Sequence, residues 1–273
     1  MRYRTLDHVK RLDHPVIDCH MHVRHRGEDW RGPLDEEYCD GIIDANDRLG
    51  IDVSCVAPIR LTGDRRYEDF HAGNDRVREA MQRHPERIKG WCFVNSGDPK
   101  ALDEITRRVR DERFIGVKLY NQYRIDEPVV EPIIERCIEW QVPILMHAGR
   151  PTDPATRARQ PRISQADHFV NAATRFPEAL LIEGHIGGGG DWEWSLKHLR
   201  EAPTVYLDIS GSVLDEWMVD RAVDALGIDR LLFATDMTFE GSMGKALDAD
   251  LDDEGFSKLM GANFQAILDR RAV

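Results

Sequence analysis

Eight short apolar segments, rich in β-branched residues, recur along almost the whole chain and constrain its fold more than any other feature. Most of them are apolar at consecutive positions and lack the polar alternation of a half-exposed strand. Such continuous runs are typical of parallel strands that are buried on both faces. The segments begin at residues 16, 51, 88, 115, 142, 179, 204 and 230.

The stretches between these segments have the pattern of helices. The clearest covers residues 36–49 and ends before Gly50, a residue type that commonly terminates helices. Eight strand–helix units in about 250 residues predict an α/β fold, a (β/α)8 TIM barrel, formed by a single domain over residues 1–273. An open doubly wound sheet is the alternative, but the regular spacing favours closure. The other helices are predicted over 68–84, 101–111, 130–141, 164–176, 191–200, 214–226 and about 253–270.

Charge and hydropathy exclude several classes of protein. The chain has 37 Lys and Arg against 49 Asp and Glu, a net charge of −12, which opposes broad affinity for nucleic acid. No stretch approaches the roughly 18 uninterrupted apolar residues of a membrane-spanning helix, and the first residues lack the apolar segment of a secretory signal. The five cysteines are an odd number without a C-x-x-C pair, which favours a reduced, cytoplasmic location.

Candidate metal ligands stand where several of the predicted strands end, and this is where a TIM barrel places its active site. Alternate residues of a strand point to the same side, so the two histidines of an H-x-H motif can converge on one point. Four of the eight segments end in such residues: His20 and His22, His147, His185, and Asp236.

Neutral imidazole and carboxylate groups suit zinc, and also manganese, iron or nickel. A structural zinc site is usually rich in cysteine and built from closely spaced pairs. Here the candidates extend from residue 20 to residue 236 and include no cysteine. This dispersal predicts a catalytic metal site with an open coordination position.

Six motifs carry a family resemblance that extends over essentially the whole chain. With them the chain resembles the amidohydrolase superfamily, and more narrowly the amidohydrolase-related branch that includes aminocarboxymuconate semialdehyde decarboxylase. The motifs are V-I-D-C-H-M-H at 16–22, G-V-K-L-Y at 116–120, P-I-L-M-H-A-G at 143–149, E-G-H-I-G-G at 183–188, A-T-D at 234–236 and G-A-N-F-Q-A-I-L at 261–268.

The resemblance implies one divalent metal ion, with zinc as the first expectation, and a water molecule that completes its coordination. It implies that His185 lies beside the metal and moves protons or orients the bound water. In binuclear relatives a carboxylated lysine of the fourth strand bridges two metals. Lys118 lies on that strand, so a binuclear site is a less favoured alternative. The implied metal ligands are His20, His22, His147 and Asp236.

Substrate contacts are predicted for residues at or just after strand ends. Arginine and lysine there suit an anionic substrate, and the arginine-rich loop 148–162 suggests either such a substrate or a lid. Arg24 and His25 directly follow the metal motif, so we expect them to contact substrate or to support the metal ligands, with a loop-surface position as the alternative. The predicted substrate-binding residues are Arg60, Lys118, Tyr120 and Arg150.

These observations favour a metal-dependent hydrolase, in which a metal-activated water attacks a small ester, lactone or amide that bears a carboxylate. Asp236 and His185 are the expected proton-transfer residues. The nearest alternative on the same scaffold is a metal-dependent, non-oxidative decarboxylase of an unsaturated or aromatic carboxylic acid. A non-catalytic metal-binding barrel is the alternative of another class. The expected partner is a small-molecule substrate, without nucleic acid or membrane, and a homodimer is possible.

Overall fold

A computed structural model of the chain describes residues 4–59, 66–186, 188 and 190–273. Its eight strands form one sheet in sequence order, and every neighbouring pair is parallel. This confirms the predicted (β/α)8 TIM barrel. The strands are β1 (Ile17–Val23), β2 (Val53–Pro58), β3 (Ile88–Phe93), β4 (Gly116–Leu119), β5 (Ile144–His147), β6 (Leu181–Gly184), β7 (Tyr206–Asp208) and β8 (Leu231–Leu232).

The first strand meets the end of the last one, and backbone hydrogen bonds join them. The N–H of Cys19 donates to the carbonyl of Phe233 at 3.0 Å, and the N–H of Asp236 donates to the carbonyl of His20 at 2.7 Å. The buried carboxylate of Asp18 adds to this seam, because Thr235 donates to it from its N–H at 3.0 Å and from its hydroxyl at 2.5 Å. Asp236 is therefore held beside the H-x-H motif by neighbouring backbone.

The helices pack around the strands, and several begin and end as predicted. Helix α2 starts after Asp35, whose side chain accepts the N–H of Tyr38 at 3.2 Å, and it stops at Gly50, which has a φ of +78°. The helices are α1 (Leu6–Val9), α2 (Glu36–Leu49), α3 (Tyr67–Arg83), α4 (Ala101–Ile105, continued by a π-helical segment Thr106–Asp111), α5 (Glu131–Trp140), α6 (Pro154–Arg159), α7 (Ala166–Arg175), α8 (Trp192–Leu199), α9 (Met218–Leu226), α10 (Phe239–Asp248), α11 (Asp253–Ser257) and α12 (Asn263–Leu268).

Three differences from the predicted helices have physical reasons. The loop 148–162 contains α6, which buries none of its residues and so shows no apolar periodicity. Helix α10 follows the short strand β8 and was not predicted either. The predicted last helix is interrupted between α11 and α12, where Gly261 lies against the carbonyl of Pro15 and a side chain would collide with it.

An apolar plug fills the barrel below the site. Trp91 lies at its centre and donates its indole N–H to the carbonyl of Cys19 at 2.9 Å, while Phe264 of α12 packs against Trp91. The site therefore lies directly above a closely packed apolar layer. None of the helices in the described residues is long and apolar enough to cross a membrane. The side chains of the plug include Cys19, Cys55, Trp91, Leu145, Ile182 and Leu232.

Candidate metal centre and active site

The H-x-H motif and Asp236 come together at the end of the barrel where the strands terminate. The pairing of β1 with β2 shifts register between Asp18 and Met21, so the middle of β1, which contains His20, is irregular. Nε2 of His22 lies 3.1 Å from Oδ1 of Asp236, and Nε2 of His20 lies 3.9 Å from the same oxygen. These three residues form a group whose donor atoms could hold one metal ion.

The hydrogen bonds of the two histidines show that this group fits a metal. His20 places Nδ1 2.8 Å from Oδ2 of Asp208, and His22 places Nδ1 3.3 Å from the carbonyl of Ala57. Both partners only accept, so each Nδ1 carries the proton and each Nε2 keeps its lone pair. A lone pair and a carboxylate oxygen at 3.1 Å repel each other unless a cation lies between them. The donor set of two imidazoles and one carboxylate is the kind that a divalent metal binds.

The pKa shifts keep these groups in the forms that bind metal. Burial, followed by the charge of Lys118, lowers the pKa of His20 to about 3, so its ring is neutral near pH 7. Burial alone would raise the pKa of Asp236, but His185 and the other nearby histidines hold it well below the usual range. Near pH 7 the group therefore presents a neutral ring at His20 and an ionised carboxylate at Asp236.

Asp208 is a site residue that the sequence analysis missed. It ends β7, is fully buried, and accepts the Nδ1–H of His20 through Oδ2. Its Oδ1 accepts the hydroxyl of Ser210 at 2.6 Å, the N–H of Ser210 at 3.0 Å and the N–H of His185 at 2.9 Å. Burial opposes ionisation of Asp208, but His20 outweighs it and holds its pKa well below the usual range. The predicted seventh strand ran one residue further, to Ile209, so the strand-end rule used for the other candidates passed over Asp208, at which the observed strand ends.

His185 and His147 lie side by side next to this group. His185 leaves β6 with a φ of +72°, an uncommon backbone conformation for a residue other than glycine. Its Nδ1 lies 2.9 Å from Oγ of Ser210 and 3.5 Å from Oδ2 of Asp236, and its Nε2 lies 2.9 Å from Nδ1 of His147. His147 also places Nε2 3.0 Å from Oε1 of Gln160. His147 is thus outside the three-residue donor group, and its role as a metal ligand stays a prediction.

Lys118 and Tyr120 both reach the site. Nζ of Lys118 lies 2.7 Å from Nε2 of His20, and the side chain is fully buried. Burial lowers the pKa of Lys118 to about 8. The ring of Tyr120 stacks on His147 with 4.1 Å between the ring centroids. A buried cation and an aromatic face therefore stand next to the candidate metal group.

The other predicted contact residues that the structure describes do not lie in this group. Arg150 turns to α8, where it pairs with Asp191 at 3.1 Å and lies 3.8 Å above the ring of Trp194. Arg24 pairs with Asp35 at 2.8 Å within its own loop.

His25, on the same loop as Arg24, lies beside Trp30, with 4.9 Å between the ring centroids. Arg60 lies outside the described residues. For these four residues a substrate contact stays a prediction.

A cavity of about 200 Å³ opens beside the metal group. Its lining combines apolar walls with a few convergent polar groups, as small-molecule sites commonly do. His147, His185 and Asp236 face it from the strand ends, and Gln160 closes it from the loop that contains α6. The remaining walls are Ala148, Pro151, Thr156, Ile163, Gly188, Gly211, Ser212 and Thr238.

Comparisons with known proteins agree with this fold. An amidohydrolase family model matches residues 17–267. The gamma-resorcylate decarboxylase of Polaromonas sp. is 23% identical over 222 residues, which cover 64% of this chain and 68% of that protein.

Two solved structures have the same fold. The 2,6-dihydroxybenzoate decarboxylase from Rhizobium aligns with a TM-score of 0.71 and 16% identity, covering 94% of this chain and 99% of its own. A dihydroxybenzoic acid decarboxylase from Polaromonas sp., with bound manganese and the inhibitor 2-nitroresorcinol, aligns with a TM-score of 0.70 and 17% identity, covering 94% of this chain and 97% of its own.

These relatives correct the main functional prediction. The sequence analysis favoured a hydrolase because its metal ligands suit activation of water, but the same ligands serve other reactions. The relatives are decarboxylases, so the hydrolase prediction is wrong and its decarboxylase alternative is the better supported one. The predicted resemblance is confirmed: with a family model matched from residue 17 to residue 267, the chain belongs to the amidohydrolase family.

Proposed function

We propose that this protein is a metal-dependent, non-oxidative decarboxylase of a small aromatic carboxylic acid. The observation that carries the proposal is the buried Lys118, whose Nζ lies 2.7 Å from His20 of the metal group, in a chain whose relatives decarboxylate dihydroxybenzoates. An aromatic carboxylate supplies the negative charge that the cation requires.

The proposed metal site consists of His20, His22 and Asp236, with His147 as the fourth ligand. A divalent metal held there would supply positive charge to the oxygen atoms of the substrate. Manganese and zinc are both compatible with two imidazoles and a carboxylate, and the manganese in the Polaromonas structure makes it the first metal to test. One ion per chain is proposed, and a second ion bridged by a carboxylated Lys118 is the alternative that metal stoichiometry tests.

Non-oxidative decarboxylation of an aromatic acid needs a proton at the ring carbon that carries the carboxylate. The carbon–carbon bond then breaks, its electron pair stays with the ring, and CO₂ leaves. Lys118 would bind an oxygen anion of the substrate through Nζ. His185 would take up a proton from solvent at Nε2 and deliver it to that ring carbon, because its ring faces the cavity and its Nδ1 lies 3.5 Å from Asp236.

The test is CO₂ release by metal-free protein reloaded with Mn²⁺ or Zn²⁺. Candidate substrates are 2,6-dihydroxybenzoate and related hydroxybenzoates, and aryl esters and lactones serve as hydrolase controls. We expect CO₂ from a hydroxybenzoate, loss of activity on chelation and recovery with about one metal ion per chain. Hydrolysis of the esters without CO₂ release from any hydroxybenzoate would contradict the proposal.

A further inference from the structure

Asp208 is the one buried carboxylate in the described residues that is linked by hydrogen bonds both to the candidate metal ligand His20 and, through Ser210, to His185. On one side its Oδ2 accepts the Nδ1–H of His20 at 2.8 Å. On the other side its Oδ1 accepts the hydroxyl of Ser210 at 2.6 Å, and Oγ of Ser210 lies 2.9 Å from Nδ1 of His185. All four side chains are buried. The candidate metal ligand and the candidate proton-transfer residue therefore share one anchor.

The direction of the hydrogen bonds in this chain is determined by Ser210. A hydroxyl group has one proton, and the ionised Asp208 takes it. Oγ of Ser210 can then only accept, so His185 must donate from Nδ1. The carboxylate of Asp236, 3.5 Å from the same nitrogen, favours the same proton position. The neutral ring of His185 is thus left with its lone pair on Nε2.

The same logic extends one residue further. Nε2 of His185 faces Nδ1 of His147 at 2.9 Å, so His147 must be the donor of this pair. Its own lone pair then lies on Nε2, beside the side-chain amide of Gln160. That amide would turn its NH₂ group to this nitrogen, which is possible because the two ends of an amide have the same shape.

We propose that Asp208, acting on His185 through Ser210, is a positioning residue that sets which ring nitrogen carries the proton in His20, His185 and His147. One carboxylate thereby keeps Nε2 of His20, His147 and His185 unprotonated, so that each retains the lone pair that a metal or a proton needs. Support of this kind fixes both the tautomer and the orientation of a ligand ring. The catalytic part of this inference rests on the proposed decarboxylase function, whereas the tautomers do not.

Ser210→Ala removes the hydrogen-bonded link from Asp208 to His185 and leaves the hydrogen bond between Asp208 and His20 intact. Nitrogen-15 NMR of histidine-labelled, metal-free protein reports the protonated nitrogen of each ring directly, and the same measurement on zinc-loaded protein shows whether the pattern persists. We expect His185 and His147 to become mixtures of tautomers, while His20, still bonded to Asp208, keeps its proton on Nδ1. Ser210→Thr, which retains the hydroxyl, should restore the wild-type pattern.

We expect Ser210→Ala to change kcat but not KM. In Ser210→Ala we expect kcat for CO₂ release to fall by about 10- to 100-fold and KM to stay close to the wild-type value. Ser210→Thr should recover most of kcat. Ser242→Ala is the matched control, because Ser242 is also a buried serine near the site, with its hydroxyl 3.5 Å from the carbonyl of Thr235.

Two results would overturn the inference. One is an unchanged proton position on His185 and His147 in Ser210→Ala. The other is the same loss of kcat in Ser242→Ala, which would show a general effect of buried serines. If the protein released no CO₂ from any substrate, the proposed function would fail, but the NMR pattern would still decide the role of Asp208.

Discussion

The ammonium nitrogen of Lys118 lies 2.7 Å from Nε2 of His20, the nitrogen that also faces Asp236. His20 donates its Nδ1–H to Asp208, so the lone pair on Nε2 accepts from Lys118. A metal ion bound to His20 would use the same lone pair. This nitrogen can therefore serve only one cation at a time, and the ammonium group of Lys118 must turn to a different acceptor when a metal binds.

Lys118→Met should separate metal binding from substrate binding. Removing the competing cation should leave metal affinity equal to or higher than that of the wild type, while KM for an aromatic carboxylate should rise by about 10-fold or more, because a charged hydrogen bond is lost. Titration with Mn²⁺ and steady-state kinetics measure the two effects. Lys197→Met, an exposed lysine of α8, is the control. An unchanged KM would argue against Lys118 as a substrate contact.

Asp236→Asn should abolish turnover while the fold persists. Asparagine keeps the shape of the side chain but removes its negative charge. The other proposed ligands are imidazoles, so this charge is the one that attracts a metal cation. We expect kcat to fall by about 100-fold or more and metal affinity to fall with it. Elemental analysis and circular dichroism check metal content and fold. Asp224→Asn, an exposed aspartate of α9, should behave as wild type.

His147→Ala and His185→Asn distinguish a ligand from a neighbour. If His147 is the fourth ligand, its loss should leave the purified protein with little metal, because one donor is gone and Gln160 offers no replacement imidazole. His185→Asn should keep most of the metal and lose activity. Metal content per chain is the measurement for both variants. Full stoichiometric metal in His147→Ala would show that the ligand group consists of His20, His22 and Asp236 only.

Glu183 should make stability fall as pH rises. It is buried in β6, neither carboxyl oxygen has a hydrogen-bond partner of good geometry within the described chain, and burial raises its pKa from 4.5 to about 8. Since the folded-state pKa lies above the unfolded one, the penalty is absent below about pH 4.5 and grows by about 1.4 kcal/mol per pH unit up to about pH 8.

Glu183→Gln, which cannot ionise, should therefore be more stable than the wild type at pH 8 by a few kcal/mol, and about equally stable at pH 4. Urea denaturation of chelator-treated protein at both values measures the difference. Glu178→Gln, an exposed residue nearby in sequence, should show no such pH dependence. Equal stability of Glu183→Gln and wild type at pH 8 would contradict the raised pKa.

Much of the site could be predicted from the order of residues alone. The strands of a parallel barrel all end at one face, so a polar residue at the end of an apolar run is placed at that face whatever the loops do. The structure brings His20, His22, His185 and Asp236 together at that face, as this rule predicts, and their roles stay predictions. The rule did not predict that Arg150 pairs with Asp191, because Asp191 belongs to a different loop.

The sequence by itself determined the barrel, the face that carries the candidate site and the candidate metal-binding side chains, because hydrophobic periodicity and strand ends are local properties of the chain. Only the tertiary structure decided how those side chains are connected. The contact of Lys118 with His20 joins residues 98 positions apart, and the bond from His20 to Asp208 joins residues 188 apart. Such contacts depend on distances and ring orientations that barrel closure sets, and these decide which nitrogen carries a proton and which one can bind a metal.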